Sequence, residues 1–548
     1  MTAYIGEEFT ADEADVLRRY FTNLDGPVFA LVNLPEVVKG ALFARYSRSP
    51  KSLRRLFLDE FVGELDIAGD ATVDATLGMR RAEELYDRVF FEYGDDSVAQ
   101  LGGVHLACEQ ASNLLTKVLE WGRLMSYLEQ STRYIAYDVR LGGRYRYYRD
   151  PEMLGSSLGL RYVGELDRVF DTYGEMAATM IELFRDWFPK EPGDSDFVYR
   201  QAIKAKALDT VRGVLPAASL SNVGIYGTGQ AYEALLLRMR SHPLPEARSY
   251  ADLMLRELRK VVPSFLKRVD VADRGVAHSS YLAASRTAME EVVSRLFPTD
   301  GDDEPGGSIS QPAGGPGERP TVRLVDFDPD AEVKLVASML YPYTHLAEAD
   351  LEDKVRQMTV DERMAVVRAY VGERTNRRHR PGRALERPSY RFDILADYGA
   401  FRDLQRHRML TIDWQPLSPR HGYVRPQAID LAGLTGRFDE VMDRSAALYD
   451  VLAERFPAQA AYAVALAYRV RFVMQLNARE AMHLIELRTT PQGHPAYRDV
   501  AQQMHRLIAE QAGHHVVAEA MCFADHSPEP RLERLAGERR AEQRRMAR

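Results

Sequence analysis

The spacing of apolar residues predicts a chain built mainly from helices. Up to about residue 297, apolar side chains recur at intervals of three and four, which places them on one face of a helix. Helices are predicted over residues 82–92, 104–123, 160–187, 231–240 and 250–262. Shorter stretches rich in Tyr, Val and Ile are typical of strands or extended loops, and they span residues 132–138, 144–150 and 219–227. The pattern therefore favours helices packed on a modest sheet.

The same order of elements recurs after residue 320. Helices are predicted over 331–340 and 360–371, followed by an arginine-rich turn, an extended stretch through Val424, and long helices near Ala446, Asn477 and Val500. Between the two parts, residues 298–320 are rich in Gly, Pro, Asp and Ser and have no apolar period. Such a segment cannot bury enough surface to offset its ordering entropy. We therefore predict two domains, 1–297 and 321–548, that arose by duplication and are joined by a flexible linker at 298–320.

Length and composition agree with two soluble globular domains. The 548 residues exceed the roughly 250 to 300 residues at which one core stops growing. The acidic N-terminus and the lack of a long apolar run predict a cytoplasmic protein without a membrane span. The net charge of −8 argues against a general affinity for nucleic acid. The two cysteines, Cys108 and Cys522, cannot build a disulfide framework or a thiolate metal cluster; both are expected in the core, and no metal site is predicted.

Two segments after residue 320 carry candidate binding chemistry. Arg406-His407-Arg408 follows an apolar helical stretch, and guanidinium groups bind anionic rings and pyrophosphate with paired hydrogen bonds. Residues 477–488 form an amphipathic helix with polar groups along one stripe. The structural alternative for the first segment is a solvated basic helix end, where cations favour the helix dipole.

Together the two segments resemble the flavin-dependent thymidylate synthases. The signature of that family is Arg-His-Arg-x-x-Ser-x-Asn-Glu-x-Ser-x-Arg, followed later by a helix of the form Asn-x-Arg-x-x-Met-(His or Asn)-Phe-Leu-x-Leu-Arg, which residues 477–488 match closely. The resemblance implies bound FAD surrounded by Arg406, His407, Arg408, Asn477, Arg479 and His483. It also implies that Glu386 lies near the adenosine end of FAD and that Arg488 holds the pyrimidine of a nucleotide.

The second copy departs from the nucleotide-binding end of the signature. Thr411 stands for the first Ser and Asp413 for Asn. Trp414, Pro416 and Ser418 replace the residues with which the family grips the nucleotide. This copy is therefore expected to hold flavin but not nucleotide.

The first copy shows the opposite loss. Trp121-Gly122 replaces the initial Arg-His, whereas Glu129, Ser131 and Arg133 keep the type and spacing of the nucleotide-binding end. Further along, the resemblance matches Arg212, before Leu-Pro, to another phosphate-binding arginine, and Arg238 to Arg488, with Arg240 as an alternative after a small alignment shift. The implied substrate-binding residues are Glu129, Ser131, Arg133, Arg212, Arg238 and Arg488. Three of these arginines, Arg133, Arg212 and Arg238, could instead be ordinary surface or ion-pair residues, and Glu129 and Ser131 could cap a helix or turn.

The complementary losses imply one active site divided between two diverged copies. The resemblance implies an α+β fold in which each domain has long helices packed on a small, mainly antiparallel sheet. Because the family assembles as homotetramers, two fused chains are expected to form a homodimer that mimics the tetramer.

The resemblance also implies a reaction. It is the reductive methylation of dUMP to dTMP with methylenetetrahydrofolate and reduced FAD, with NADPH as reductant and no enzyme nucleophile. Three alternatives remain open: a flavoenzyme that modifies another pyrimidine nucleotide, an inactive nucleotide-binding homologue, and RNA or DNA binding through the arginine run 374–387.

Overall fold

The computed structural model describes residues 4–34, 42–43, 46, 49–60, 103–297, 321–528, 532 and 534–546. The predicted helix 82–92 and the predicted linker 298–320 lie outside the described residues. The chain forms two compact units. Unit 1 contains Met1–Gly174, Leu215–Ser310 and Arg444–Val464, and unit 2 contains Glu175–Val214, Gln311–Asp443 and Ala465–Arg548. Each unit therefore includes one segment from the other half of the sequence.

Each unit has a four-stranded antiparallel sheet with the same topology. The strand order is β1-β2-β4-β3 in unit 1 and β5-β6-β8-β7 in unit 2. The strands are β1 (Val28–Leu31), β2 (Gly103–Ser112), β3 (Met125–Glu129), β4 (Leu220–Thr228), β5 (Thr321–Phe327), β6 (Ser389–Asp397), β7 (Thr411–Trp414) and β8 (Arg469–Asn477). The predicted α+β class, with helices on small antiparallel sheets, is confirmed.

Helices account for most of the remaining described residues. Those up to the predicted linker are α1 (Ala11–Leu17), α2 (Leu53–Glu60), α3 (Asn113–Leu119), α4 (Pro151–Leu154), α5 (Gly159–Trp187), α6 (Asp196–Val211), α7 (Gly229–Arg240), α8 (Pro245–Leu258) and α9 (Ala277–Leu296). Those after it are α10 (Ala331–Leu340), α11 (Glu348–Gln357), α12 (Val360–Val371), α13 (Tyr398–Leu404), α14 (Gln427–Leu431), α15 (Thr435–Ala453), α16 (Ala478–Arg488), α17 (Pro495–Glu510), α18 (His515–Ala520) and α19 (Leu535–Met546). None of the described helices has the length and apolar character that a membrane crossing requires.

Two expectations from the sequence are wrong. Residues 104–112 of the predicted helix 104–123 belong to β2, and of the remainder only α3 is helical. Because β2 is a central strand buried almost throughout, its apolar residues do not alternate and its spacing also fits a helix. Cys522 was expected in the core, but it is exposed in a turn after α18, whereas Cys108 is buried in β2.

The sheet registers align the two sequence copies residue by residue. Ser112 ends β2 opposite Leu220, and Asp397 ends β6 opposite Arg469. In β4, Tyr226 comes six residues after Leu220 and faces Ser126 of β3. In β8, Gln475 comes six residues after Arg469 and faces Thr411 of β7. Glu129 faces Val223, three residues after Leu220, and Trp414 faces Phe472, three residues after Arg469. Glu129 therefore corresponds to Trp414. The strands therefore place Ser126 at the position of Thr411, which stands for the first Ser of the signature in the second copy.

A buried carboxyl group in unit 1 links β2 to the segment from the second half of the sequence. Glu246, in the first turn of α8, accepts hydrogen bonds from the backbone amide of Ser112 at 2.9 Å, from Ser112 Oγ at 2.6 Å and from Tyr462 Oη at 2.7 Å. Burial raises the pKa of Glu246 from 4.5 to about 7, because these hydrogen bonds only partly offset the cost of desolvating the charge.

Stability should therefore fall with rising pH because of Glu246. Between pH 4.5 and 7 the folded state keeps a proton that the unfolded state has lost, so ionisation opposes folding. Relative to Glu246→Gln, the free energy of unfolding of the wild type should drop by about 3 kcal/mol across this window, at 1.36 kcal/mol per pKa unit. Calorimetric unfolding at several pH values measures the difference. Glu290→Gln, at an exposed position of α9, is the control, and a difference that does not vary with pH would contradict the assignment.

Candidate functional site

The signature helix α16 is anchored in unit 2 at both ends. Asn477 is its N-cap, and its Oδ1 accepts a hydrogen bond from the backbone amide of Glu480 at 2.9 Å. Near the other end, Glu486 forms a two-pronged ion pair with Arg374, with N–O distances of 2.6 and 2.7 Å and both side chains 2% exposed. Because Ala478, Met482 and Ile485 are buried, the polar face of α16 has a fixed orientation.

The Arg-His-Arg motif follows α13 and contacts α16. His407 is buried, and its Nδ1 lies 2.9 Å from Glu480 Oε1. Arg488 Nε donates a hydrogen bond to His407 Nε2 at 3.0 Å. Arg488 also donates from Nη2 to the backbone carbonyl of Asp403, and its guanidinium carbon lies 5.2 Å from the centre of the Tyr497 ring. The structure thus brings His407 and Arg488 into one hydrogen-bonded group.

Three guanidinium groups converge on Asp403. Arg212 Nη1 and Arg406 Nη1 each lie 3.8 Å from a carboxylate oxygen of Asp403, and Arg488 contacts its carbonyl. Arg212 comes from the first-half segment of unit 2, and its side chain is 6% exposed. Its Nη2 has no hydrogen-bond partner among the described residues. A buried cationic donor of this kind suits an anionic ligand.

Gly399 lies next to the arginine cluster, where a side chain would come close to Asp397 and Arg212. A β-carbon at Gly399 would lie 3.4 Å from Arg212 Nη2 and 2.9 Å from Asp397 Oδ1. Asp397 caps α13 and is buried. Burial raises its pKa, which the charge of Arg212 partly counters. Arg212 is therefore near the carboxyl groups of both Asp397 and Asp403.

Glu386, which is expected near the adenosine end, forms a second group with Arg479. Arg479 Nη1 lies 3.3 Å from Glu386 Oε1, and Arg479 Nε donates to the carbonyl of Pro381 at 3.2 Å. The neighbouring Arg383 lowers the pKa of Glu386 through hydrogen bonds. The surface beside the motif includes the exposed Arg408 and Met409, the latter 70% exposed.

His407, Glu480 and His483 have ligand atoms within 4.8 Å of one another, a spacing that could hold a metal ion. A guanidinium group can only donate, so His407 Nε2 must accept from Arg488 and the ring proton must lie on Nδ1. That proton is donated to Glu480, which leaves Nδ1 without a lone pair for a metal. The group is better described as a hydrogen-bonded chain than as a metal site.

The protonation states of His407 and Glu480 follow from burial and hydrogen bonding. Burial lowers the pKa of His407 to about 4, so the ring is neutral at physiological pH. Burial acts to raise the pKa of Glu480, but hydrogen bonds from His407 and His483 outweigh it and lower that pKa to about 2. An ionised Glu480 beside a neutral His407 is therefore the stable arrangement.

The other predicted substrate residues lie in unit 1. Glu129 is buried, and its Oε2 lies 3.5 Å from Lys117 Nζ. The backbone amide of Arg133 donates a hydrogen bond to Ser131 Oγ at 3.3 Å. This contact fits the alternative in which Ser131 caps a turn. Lys117 was not predicted from the sequence, because the signature gives no signal for it and its contact with Glu129 depends on folding.

The contacts of Arg238 resemble those of Arg488. Arg238 Nη2 donates to the carbonyl of Val118, the sixth residue of α3, at 3.4 Å, and Asp403 is the sixth residue of α13. Arg240 instead forms an exposed ion pair with Asp252 at 2.6 Å. These contacts favour Arg238 over Arg240 as the counterpart of Arg488.

The first copy lacks the side chains that bind α16 to the motif loop. The helix N-caps pair Thr228 with Asn477, a pairing one residue out of step with the match of Arg238 to Arg488. Trp121 precedes Gly122 where the second copy has Arg406 and His407, and the Arg238 guanidinium carbon lies 4.9 Å from the Trp121 ring centre. The Trp121 ring thus contacts Arg238 in unit 1, whereas in unit 2 His407 accepts a hydrogen bond from Arg488 Nε.

Half of the arginine run is used in ion pairs. Arg374 pairs with Glu486, Arg383 with Glu386 at 2.9 Å, and Arg387 lies 3.5 Å from a carboxylate oxygen of Glu348. These contacts give the arginines structural roles within unit 2. They add no support to the alternative of RNA or DNA binding.

Glu486→Gln should strongly destabilise the protein. The substitution leaves Arg374 as a buried cation without its carboxylate, a loss that costs roughly 3 to 5 kcal/mol. Differential scanning calorimetry should show a clear fall in Tm. Glu519→Gln is the matched control, because its 2.8 Å pair with Arg368 is exposed and should contribute less than about 1 kcal/mol. Equal effects of the two substitutions would contradict the prediction.

Comparison with known proteins identifies similar chains of the same length. The family model described as thymidylate synthase complementing protein matches residues 45–264 and 323–512. A UPF0159 protein of Chlamydia muridarum is 38% identical over 536 residues, which cover 97% of this chain and 98% of that protein. A UPF0159 protein of Thermoplasma acidophilum is 31% identical over 528 residues, which cover 91% and 97%. Among solved structures, a UMP/dUMP methylase, PolB from Streptomyces cacaoi bound with 5-Br dUMP, is 21% identical with a TM-score of 0.31 and covers 38% of this chain and 98% of that chain.

Proposed function

The chain belongs to the thymidylate synthase complementing protein family, of which it carries two tandem copies, and on this premise we propose that it is a flavin-dependent thymidylate synthase. The proposed reaction is the reductive methylation of dUMP to dTMP with methylenetetrahydrofolate and reduced FAD, with NADPH as reductant. The observation that carries the proposal is the arginine cluster of unit 2, in which Arg212 of the first copy joins Arg406 and Arg488 of the second around Asp403. Arg212, which is assigned to nucleotide binding in the first copy, thus lies beside residues of the second copy, to which flavin binding is assigned.

The residues present in unit 2 fit FAD. Three side chains of the predicted flavin set are about one-third exposed: Arg406 at 34%, Arg479 at 35% and His483 at 29%. Each also contacts a carboxylate, so the side chains are ordered and still accessible to a ligand. Cationic donors of this kind suit a pyrophosphate, and the exposed Met409 offers an apolar surface to a ring. We propose that Arg408, His407, Asn477 and Glu386 complete this set. When bound, reduced FAD supplies the hydride.

The nucleotide is proposed to use residues of both copies. Glu129, Ser131, Arg133 and Arg212 would hold its phosphate and sugar, and Arg488 its pyrimidine, with Arg238 as the first-copy counterpart. The role of these arginines is to orient the ring and to stabilise negative charge that develops on it. No thiol nucleophile is required, and burial raises the pKa of Cys108, which keeps that thiol protonated.

Purification gives the direct test. The protein should be yellow, or become yellow when reconstituted with FAD, and should form dTMP from dUMP only when methylenetetrahydrofolate and a reductant such as NADPH are present. A colourless protein that cannot be loaded with FAD would contradict the proposal. Turnover of UMP or dCMP in preference to dUMP would favour the alternative of a flavoenzyme for another pyrimidine, and nucleotide binding without turnover would favour an inactive homologue.

The proposal extends to assembly and location. We propose a cytoplasmic homodimer that mimics the homotetramer of the family. Analytical ultracentrifugation should give a mass of twice the 62.1 kDa chain. A monomer at micromolar concentration that still turns over dUMP would contradict the proposed assembly without contradicting the reaction.

A further inference from the structure

Glu480 contacts both histidines of the site through one carboxylate. Its Oε1 lies 2.9 Å from His407 Nδ1, and its Oε2 lies 3.4 Å from His483 Nδ1. The backbone of Glu480 is held in turn by the side chain of Asn477, the N-cap of α16. In the family signature this position is an unspecified residue, so the resemblance assigns it no role.

The contact with Arg488 fixes the tautomer of His407. Arg488 Nε can only donate, so His407 Nε2 accepts and carries no proton. The single proton of the neutral ring is therefore on Nδ1, from which it is donated to Glu480. Both ring nitrogens of His407 take part in hydrogen bonds within the protein.

His483 is placed differently. Its side chain is 29% exposed, and it meets Glu480 through Nδ1. Its Nε2 has no hydrogen-bond partner among the described residues. Of the two histidines, His483 is therefore the one that presents a ring nitrogen to a ligand, and its edge-to-face contact with His407, at 5.2 Å between ring centres, holds the two rings together.

The orientation of Arg488 depends on His407. The guanidinium is held by His407 Nε2, by the carbonyl of Asp403 and by the ring of Tyr497. Of these three, only the imidazole can change from acceptor to donor, by moving its proton to Nε2. In that tautomer the N–H of His407 would face the N–H of Arg488, and the contact would be lost.

We propose that Glu480 is the positioning residue of this site: it fixes His407 as the Nδ1–H tautomer and thereby orients the guanidinium of Arg488. The effect on pyrimidine binding rests on the proposed function, whereas the tautomer of His407 does not. Glu480 acts through His407 and is not itself expected to touch the substrate.

The tautomer can be measured without turnover. In protein labelled with 15N-histidine, two-bond nitrogen–proton correlations distinguish an Nδ1–H from an Nε2–H ring, and His407→Gln identifies the signals of His407. The wild type should show the Nδ1–H form, and Glu480→Ala should lose it or mix the two forms. Glu480→Gln should retain it, because the amide oxygen still accepts the proton of His407. An Nε2–H ring in the wild type would overturn the proposal.

Kinetics test the consequence for Arg488. Glu480→Ala should raise KM for dUMP at least tenfold with a smaller change in kcat, and Glu480→Gln should recover most of the loss. Glu510→Ala, at an exposed position at the end of α17, is the control and should behave as the wild type. A changed tautomer with an unchanged KM would overturn the link to Arg488. Failure of the proposed function would be seen separately, as the absence of flavin binding or of dTMP formation in the wild type.

Discussion

Arg133→Ala and His407→Ala, made separately, should each abolish growth of a thymidine-requiring strain that depends on this chain. The proposed reaction needs residues of both copies, because nucleotide binding is assigned to the loop that ends at Arg133 and flavin binding to the motif that contains His407. Loss of the charged partner of a phosphate costs roughly 2 to 5 kcal/mol. Loss of His407 removes the acceptor of Arg488 Nε and the donor to Glu480.

Two exposed positions provide matched controls. Arg161→Ala in the first half and His345→Ala in the second remove a residue of the same type where the structure describes it as exposed, and both should support normal growth. Western blotting should confirm equal amounts of soluble protein. Normal growth of Arg133→Ala would contradict the assignment of nucleotide binding to the first copy, and normal growth of His407→Ala would contradict the assignment of flavin to the second.

The fold could be predicted where the sequence pattern has one interpretation. Helix α5 was predicted over 160–187 and observed over Gly159–Trp187, because its apolar residues follow a helical period over 29 residues. Strand β2 was not predicted, because a strand covered on both faces has no alternation. The exchange of Glu175–Val214 and Arg444–Val464 between the units could not be predicted either, since it depends on packing between residues far apart in sequence.

The same limit applies to the site. The motif letters identified His407 and Arg488, and the sheet registers independently align Ser126 with Thr411. The motif letters gave no signal for Asp403, whose carboxylate lies near Arg212 and Arg406. They also gave no signal for Glu480, whose carboxylate contacts both histidines of the site. Both depend on side chains that meet only in the folded protein. Sequence thus identifies the residue types of the site, while the protonation and orientation of those residues follow from the structure.

Arg212→Ala should lower kcat/KM for dUMP by about 100-fold or more. Arg212 is buried near Asp397 and Asp403, and its Nη2 has no hydrogen-bond partner among the described residues, so this donor is available to an anion. Removal of a charged hydrogen bond costs roughly 3 kcal/mol, which corresponds to about two orders of magnitude in rate. The loss should be mainly in KM if Arg212 binds the phosphate. Arg212→Lys should recover only part of it, because an ammonium group lacks the planar fork.

A structural role for Arg212 would give a different result. If Arg212 served only to neutralise Asp397 and Asp403, its removal should lower Tm while leaving KM unchanged in the protein that remains folded. Added guanidinium should then restore stability without any effect on dUMP binding. If Arg212 binds the nucleotide, guanidinium should lower KM in Arg212→Ala and have no such effect in the wild type. Arg200→Ala, at an exposed position of α6, the helix that ends just before Arg212, controls for nonspecific effects of charge, because Arg200 donates a hydrogen bond to the backbone carbonyl of Asp196.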